Sequence, residues 1–292
     1  MFWNARLASK PITMFYLFER FCKSTIFFCI FAFSNKKKMV TLSAVIITHN
    51  EERNIERCLA SLHGIASEII VVDSGSTDGT EAICRKHGAL FEHHDWEGFA
   101  MQKNYAETLA TGDWVLSLDA DEAIGDRLRA SLLHLLSGNA CEGVVYSMNR
   151  LTNYCGHWIR HCGWYPDTKV RLWQRGTTHW EGDVHEQLVY SRPMKTIRLK
   201  GDLLHYSYYS LDEFANRQRY YYQLAAQEAY EKGRHCGCLA LWLRPLWRFV
   251  RDYLLRGGFL DGEAGYTVCR MNAHYTFMKY ATLREIMKKT LN

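Results

Sequence analysis

The chain has 292 residues, 48% of them hydrophobic and 23% charged, which suits a globular protein of one large domain or a domain with additions. Its 36 Lys+Arg against 31 Asp+Glu give a net charge of +5, but residues 1–38 hold seven of the basic residues and one Glu. The rest is close to neutral, which excludes nucleic-acid binding through a broad positive field. Ten cysteines without a regular framework point to reduced thiols in a cytoplasmic protein. Cys155, His157, His161 and Cys162 match no common zinc spacing.

Residues 1–38 differ in character from the rest of the chain. Ser24 to Phe33 is an apolar run ahead of Lys36-Lys37-Lys38, too short for a membrane span and with its charges on the wrong side for a signal peptide. We expect this segment to be a non-native extension or a loose membrane contact, with the fold beginning at Met39.

Leu42 to Thr48 is β-branched and reads as a strand. Ile55, Leu59 and Leu62 then recur at helical spacing, and Asn50 is expected to cap that helix. Glu68 to Val72 is a second strand, ending in the turn-rich Asp73-Ser74-Gly75-Ser76-Thr77-Asp78-Gly79-Thr80 and a helix to about His87. Leu90-Phe91 is a short third strand, Gly98 to Ala110 a helix, Trp114 to Leu118 a fourth strand and Asp126 to Leu136 a further helix. Strands alternating with helices predict an α/β fold with a mostly parallel sheet flanked by helices.

Beyond residue 136 the rhythm changes. Gly143 to Arg150 alternates as a strand, residues 151–182 lack clean periodicity and are expected to be irregular around a pocket, and Val184 to Val189 is a short extended piece. Lys200 to Ser207 holds His205. Leu211 to Lys232 and Leu239 to Leu255 read as long helices, so residues 39–210 are expected to form the α/β domain and 211–292 a helical extension. Trp242 and Trp247 lie among Arg244, Arg248, Arg251 and Arg256, a pattern that suits an anionic membrane surface or an ordinary amphipathic helix packed on the domain.

The stretch from Trp114 to Glu122 is the chemical centre. An apolar strand ends in Asp119-Ala120-Asp121-Glu122, and carboxylates at a buried strand tip call for a positive partner. A divalent cation, Mg²⁺ or Mn²⁺, is the simplest. Alternate residues on an extended segment point the same way, so Asp119 and Asp121 can act together. The bland reading is a strand-to-loop exit with solvated acids.

The ordered set Thr48-His49-Asn50-Glu51, Val71 to Thr80, Lys103-Asn104 and Trp114 to Glu122 resembles the family 2 nucleotide-sugar glycosyltransferases of the GT-A fold. The later Trp180-Glu181-Gly182, Val184-His185-Glu186, His205 to Tyr208 and Gly258 to Gly262 are similar to the lipopolysaccharide-core branch. The resemblance implies a GT-A (Rossmann-like) domain and an inverting, metal-dependent transfer of a hexose from a UDP-sugar to a glycolipid. The enzyme would be peripheral at the cytoplasmic face of the inner membrane. It implies that Thr48, Asn50 and Glu51 border the nucleotide, that Asp73 accepts from the base, and that Lys103 lies against the diphosphate. Asp119 and Asp121 then carry ribose and metal. Asp73 also suits the capping of its own turn. Glu186 is the first choice as general base and Asp183 the second. His185 or His205 can supply a further metal ligand, though His205 also suits a hydrogen-bonded core. Trp164, Trp173 and Trp180 suit either sugar stacking or an aromatic core. Two rival readings are a transferase for a protein or other polymer, and a non-catalytic sugar-nucleotide binder.

Overall fold

The computed structural model describes residues 40–182 and 186–291. The elements, in chain order, are β1 (Leu42–Thr48), α1 (Ile55–Leu62), β2 (Glu68–Asp73), α2 (Thr80–Lys86), β3 (Leu90–His93), α3 (Phe99–Thr108), β4 (Trp114–Asp119), β5 (Glu122–Ile124) and α4 (Asp126–Leu136). There follow β6 (Val144–Tyr154), β7 (His157–Ile159), β8 (Asp167–Gln174), β9 (Thr178–Glu181), β10 (Gln187–Tyr190), β11 (Lys195–Tyr208), α5 (Leu211–Glu231), α6 (Cys238–Val250) and α7 (Gly262–Leu291). A π-helical turn (Arg251–Leu255) and a 3-10 turn (Gly258–Asp261) join the last two helices.

The main sheet runs in the order β3-β2-β1-β4-β8-β6-β11-β5, with β7 added on β6. β3, β2, β1 and β4 are parallel, whereas β8 is antiparallel to both β4 and β6. The alternation of side chains explains the layering. Leu42, Ala44 and Ile46 of β1 and Trp114, Leu116 and Leu118 of β4 face the core beneath α1 and α4, against Leu59, Leu62, Leu128 and Leu132. Val45 and Val115 face the opposite core with Ala100, Ala106 and Trp173. Each buried Leu or Val contributes about 1.5–3 kcal/mol through area removed from water.

This order sets the position of the site. The chain leaves β1 for β2 and β3, then returns to place β4 on the other side of β1. Ligands gather at the carboxyl ends of strands where an α/β sheet reverses in this way. Here those ends are Thr48 and Asp119, and Ile47 pairs directly with Asp119.

Two expectations need correction. Residues 151–182 are not irregular: they complete β6 and supply β7, β8 and β9. Strand alternation is hard to see there because the strands after β6 are short and the Arg171-Leu172-Trp173 stretch of β8 is buried on both faces. Asn50 does not cap α1, whose N-cap is Asn54. Asn50 instead takes a left-handed conformation, φ 54°, inside the preceding loop. The 239–255 helix also changes character at Arg251, where a π turn carries Asp252 into a wholly buried position among Arg248, Arg251 and Arg256.

Candidate active site

Two loops shape the mouth of the β1/β4 crevice. The Asp73 carboxylate accepts from the N–H groups of Gly75 (2.9 Å) and Ser76 (2.7 Å) and from the Ser76 hydroxyl (2.5 Å). Gly75 sits at φ 89°, a conformation that Cβ-bearing residues rarely adopt. The Asn50 N–H donates to Ser76 Oγ (2.7 Å), and Asn50 Oδ1 accepts from Thr77 N–H (2.8 Å). Glu51 N–H donates to Thr80 Oγ1 (2.9 Å), and Glu52 Oε2 accepts from Gly79 N–H (2.7 Å). The acids and Asn of the first loop thus hold the Ser/Thr/Gly-rich second loop by polar bonds.

Thr48, Glu51, Ser74, Asp119, Asp121, Arg150, His205 and Arg217 line a cavity of about 910 Å³. Thr48 Oγ1 is buried at its wall without a hydrogen-bond partner among the described residues. Asp73 is 3% exposed and turned into its own loop, so Ser74 meets the cavity in its place. Burial raises the Glu51 carboxyl above its ordinary range, although Asn54 donates to it (2.7 Å).

Asp119 is held by cations. Arg171 lies 2.5 Å from its Oδ2 and Lys103 3.5 Å from its Oδ1. Burial alone would push this carboxyl up, but the Arg171 and Lys103 charges outweigh it and hold it well below the usual carboxylate range. Arg171 also bonds Glu122 (2.7 Å), a fully buried acid that in turn accepts from Asp119 N–H (3.0 Å). Arg150 approaches Glu122 at 3.5 Å and Asp167 at 2.7 Å. Sequence reasoning missed Arg150 and Arg171. The one available signal was that three acids at a strand tip require compensation, and Arg171 comes from the neighbouring strand β8.

Asp121 faces a different partner. Its Oδ2 lies 3.2 Å from His205 Nε2, and His205 Nδ1 lies 3.2 Å from Thr152 Oγ1. The Asp121 carbonyl accepts from Tyr206 N–H (2.9 Å), which brings the β4 tip against β11. His205, which also suited a core role, therefore borders the cavity beside Asp121. Asp183 and His185 lie outside the described residues.

Lys103 is 4% exposed and reaches Glu186 at 2.9 Å, with its ammonium 4.5 Å from the Trp180 ring centre. Its neighbour Asn104 both donates to the Trp180 carbonyl (2.9 Å) and accepts from the Trp180 N–H (2.8 Å). This fixes α3 to the β9–β10 hairpin. Lys103, Asp119, Arg150, Trp180 and Glu186 line a second basin of about 410 Å³, which shares Asp119 and Arg150 with the first. Trp173 is wholly buried, and Trp164 packs with Tyr208 and Phe214, so the aromatic trio does not form one stacking surface.

A polar, two-basin cavity at the switch point of a mostly parallel sheet defines the class: an α/β enzyme of the GT-A kind. Residues 43–195, just over half of the chain, match the family described as "Glycosyl transferase family 2". The chain belongs to this family and is a glycosyltransferase. It is 31% identical over 254 residues to the lipopolysaccharide core biosynthesis glycosyltransferase LpsC of Rhizobium meliloti, covering 83% of this chain and 91% of that protein. It is 28% identical over 263 residues to an uncharacterized glycosyltransferase of Rickettsia typhi, covering 87% and 90%. Among solved structures, the mannosyltransferase PcManGT of Pyrobaculum calidifontis, in complex with GDP-Man and Mn²⁺, shares the fold. It matches at TM-score 0.50 and 15% identity over 85% of this chain and 88% of that one.

Proposed function

We propose that the protein is an inverting hexosyltransferase that moves a hexose, with glucose as the first candidate, from a UDP-sugar to a lipopolysaccharide-core-like glycolipid. The observation that carries the reading is the placement of Asp121 and His205, 3.2 Å apart, on the wall of the cavity at the β1/β4 crevice. A carboxylate oxygen and an imidazole nitrogen suit a divalent cation, and Thr152 on the other ring nitrogen orients the histidine as an outer-shell partner does. Asp121 and His205 would hold Mg²⁺ or Mn²⁺; among the described residues no third His, Cys, Asp or Glu joins them in a preformed cluster, and Asp119, on the same cavity wall, is engaged by Arg171 and Lys103. A bound cation offsets charge developing on the leaving diphosphate.

The chain's own residues supply the rest. Thr48, Glu51 and Ser74 border the nucleoside, and Thr48 Oγ1 has a hydrogen bond to give there. Asp73 and Asn50 act by shaping the loop that carries Ser74. Arg150 faces the phosphates from the wall the two basins share, and Lys103 does so from the second basin. Glu186 takes the acceptor hydroxyl proton. That oxygen bonds the anomeric carbon as the carbon–diphosphate bond breaks, and the electron pair leaves with UDP. The likeness to LpsC supports a glycolipid acceptor, and such an acceptor suits an enzyme working at the cytoplasmic face of the inner membrane.

The test is a screen of UDP-, GDP- and ADP-sugars with Mn²⁺ or Mg²⁺, against a glycolipid extract and a peptide mixture, read by mass shift. A hexose-sized gain on the glycolipid with the UDP donor, lost in Asp121→Ala, supports the reading. A shift on peptide alone reassigns the acceptor, and donor binding without turnover makes the chain a binding protein. Full metal-dependent turnover in Asp121→Ala overturns the site.

A further inference from the structure

On α6, Leu239, Trp242, Leu243, Leu246 and Trp247 recur at three- and four-residue spacing, so they share one face. An apolar helix face normally lies against the core. Here all five are 51–71% exposed, and no residue of α6 is buried. The apolar surface continues into Leu254 and Leu255 of the π turn. The inner side of the helix packs on α7 through Leu241 with Leu283, and Trp242, at the border of the open face, has its ring centre 6.1 Å from that of Phe277. Most of the apolar face of α6 is therefore left open.

Arginines line the opposite, polar side of the helix. Arg244 and Arg248 come one residue, about 100° of turn, after Leu243 and Trp247, and Arg251 and Arg256 lie in the turn beyond. Arg248, Arg251 and Arg256 converge on the single buried Asp252, and their side chains remain 31–45% exposed. Three guanidiniums share one carboxylate, so positive charge is left over at the surface. Arg244 stacks over the Tyr280 ring at 4.3 Å. None of the described helices is long and apolar enough to cross a membrane.

We propose that α6 and the π turn form an interfacial anchor that lies flat on an anionic lipid bilayer. Leu239, Leu243 and Leu246 enter the acyl boundary, Trp242 and Trp247 sit at headgroup level, and the Arg244–Arg256 guanidiniums meet lipid phosphates. Trp combines an apolar body with a polar N–H and favours that depth, and leftover arginine charge complements anionic headgroups. The proposal goes beyond the assigned reaction and stands on this surface alone, whatever the acceptor.

The test uses the full chain and vesicles of phosphatidylcholine with or without phosphatidylglycerol. The wild type is expected to sediment with the anionic vesicles and to bind the neutral ones more weakly. Leu246→Glu/Trp247→Glu is expected to lower partitioning by about tenfold or more, with circular dichroism and UDP binding unchanged. Brominated-lipid quenching of tryptophan emission gives a second readout: Trp242→Phe/Trp247→Phe should still bind but lose most of the quenching. No vesicle binding, or equal partitioning of the wild type and Leu246→Glu/Trp247→Glu, would overturn the anchor. So would a concentration-dependent dimer that the same variant dissolves, since that would give the face to a second copy.

Discussion

Lys103 Nζ lies 2.9 Å from Glu186 Oε1, so the cation assigned to the diphosphate and the carboxylate assigned to the acceptor proton hold each other. While they are paired, neither group is free for its assigned partner. An arriving diphosphate competes for Lys103, which already has Asp119 3.5 Å away on its other side. Donor binding should therefore release Glu186, and the kinetics should be ordered with donor first. Product-inhibition patterns check this; random order argues against the exchange. Glu186→Gln should lower kcat by about 10²–10⁴-fold with donor affinity kept, whereas Lys103→Ala should also raise the donor KM.

The Asp121–His205 pair carries the metal prediction. EDTA should abolish transfer and Mn²⁺ restore it. His205→Ala should raise the Mn²⁺ concentration needed for half-activity by about 10-fold or more, and Thr152→Val should do so more weakly, as loss of an outer-shell partner does. Titrating activity against Mn²⁺ in each variant measures this. An unchanged metal requirement in His205→Ala would remove the histidine from the site.

Arg171 is 4% exposed and joins Asp119 to Glu122. Arg171→Met should leave two carboxylates without the cation they share and cost about 3–5 kcal/mol in urea unfolding. Asp119 gives the pH sign. Its folded pKa lies below the unfolded value of about 3.9, so its contribution is complete above that pH and is lost as pH falls through the folded value. Asp119→Asn should flatten the acid limb of stability against pH and lower the neutral plateau.

Glu51 has the opposite sign. Burial raises its pKa, so ionising it works against the fold as pH rises from the unfolded toward the folded value. Glu51→Gln, which can still accept from Asn54, should raise Tm at neutral pH. If Glu51 borders the nucleoside, the same variant should weaken donor binding; thermal melts with and without UDP separate the effects.

The β1–α1–β2–α2 rhythm and the acids at the β4 tip were legible because each is local: periodicity, a turn-rich loop, a strand ending in carboxylates. Arg171 and Arg150 were not, since their role arises from the antiparallel insertion of β8 between β4 and β6. Asn50 was misplaced by the same limit. Its capping chemistry is real, but the backbone that receives it belongs to Thr77, in the neighbouring loop after β2 rather than along its own helix. Residues 151–182 look patternless because their strands after β6 are short and the Arg171 to Trp173 stretch is buried on both faces.

The bond pair between Asn104 and Trp180 has an evolutionary consequence. Asn104 grips only main-chain atoms, so this bond pair holds the β9–β10 hairpin to α3 whatever side chain stands at position 180, alongside the contacts of Lys103 with Trp180 and Glu186. The tip leading to Glu186 can thus be rewritten for a new acceptor while its mounting stays in place, much as a tool bit is changed in a fixed chuck.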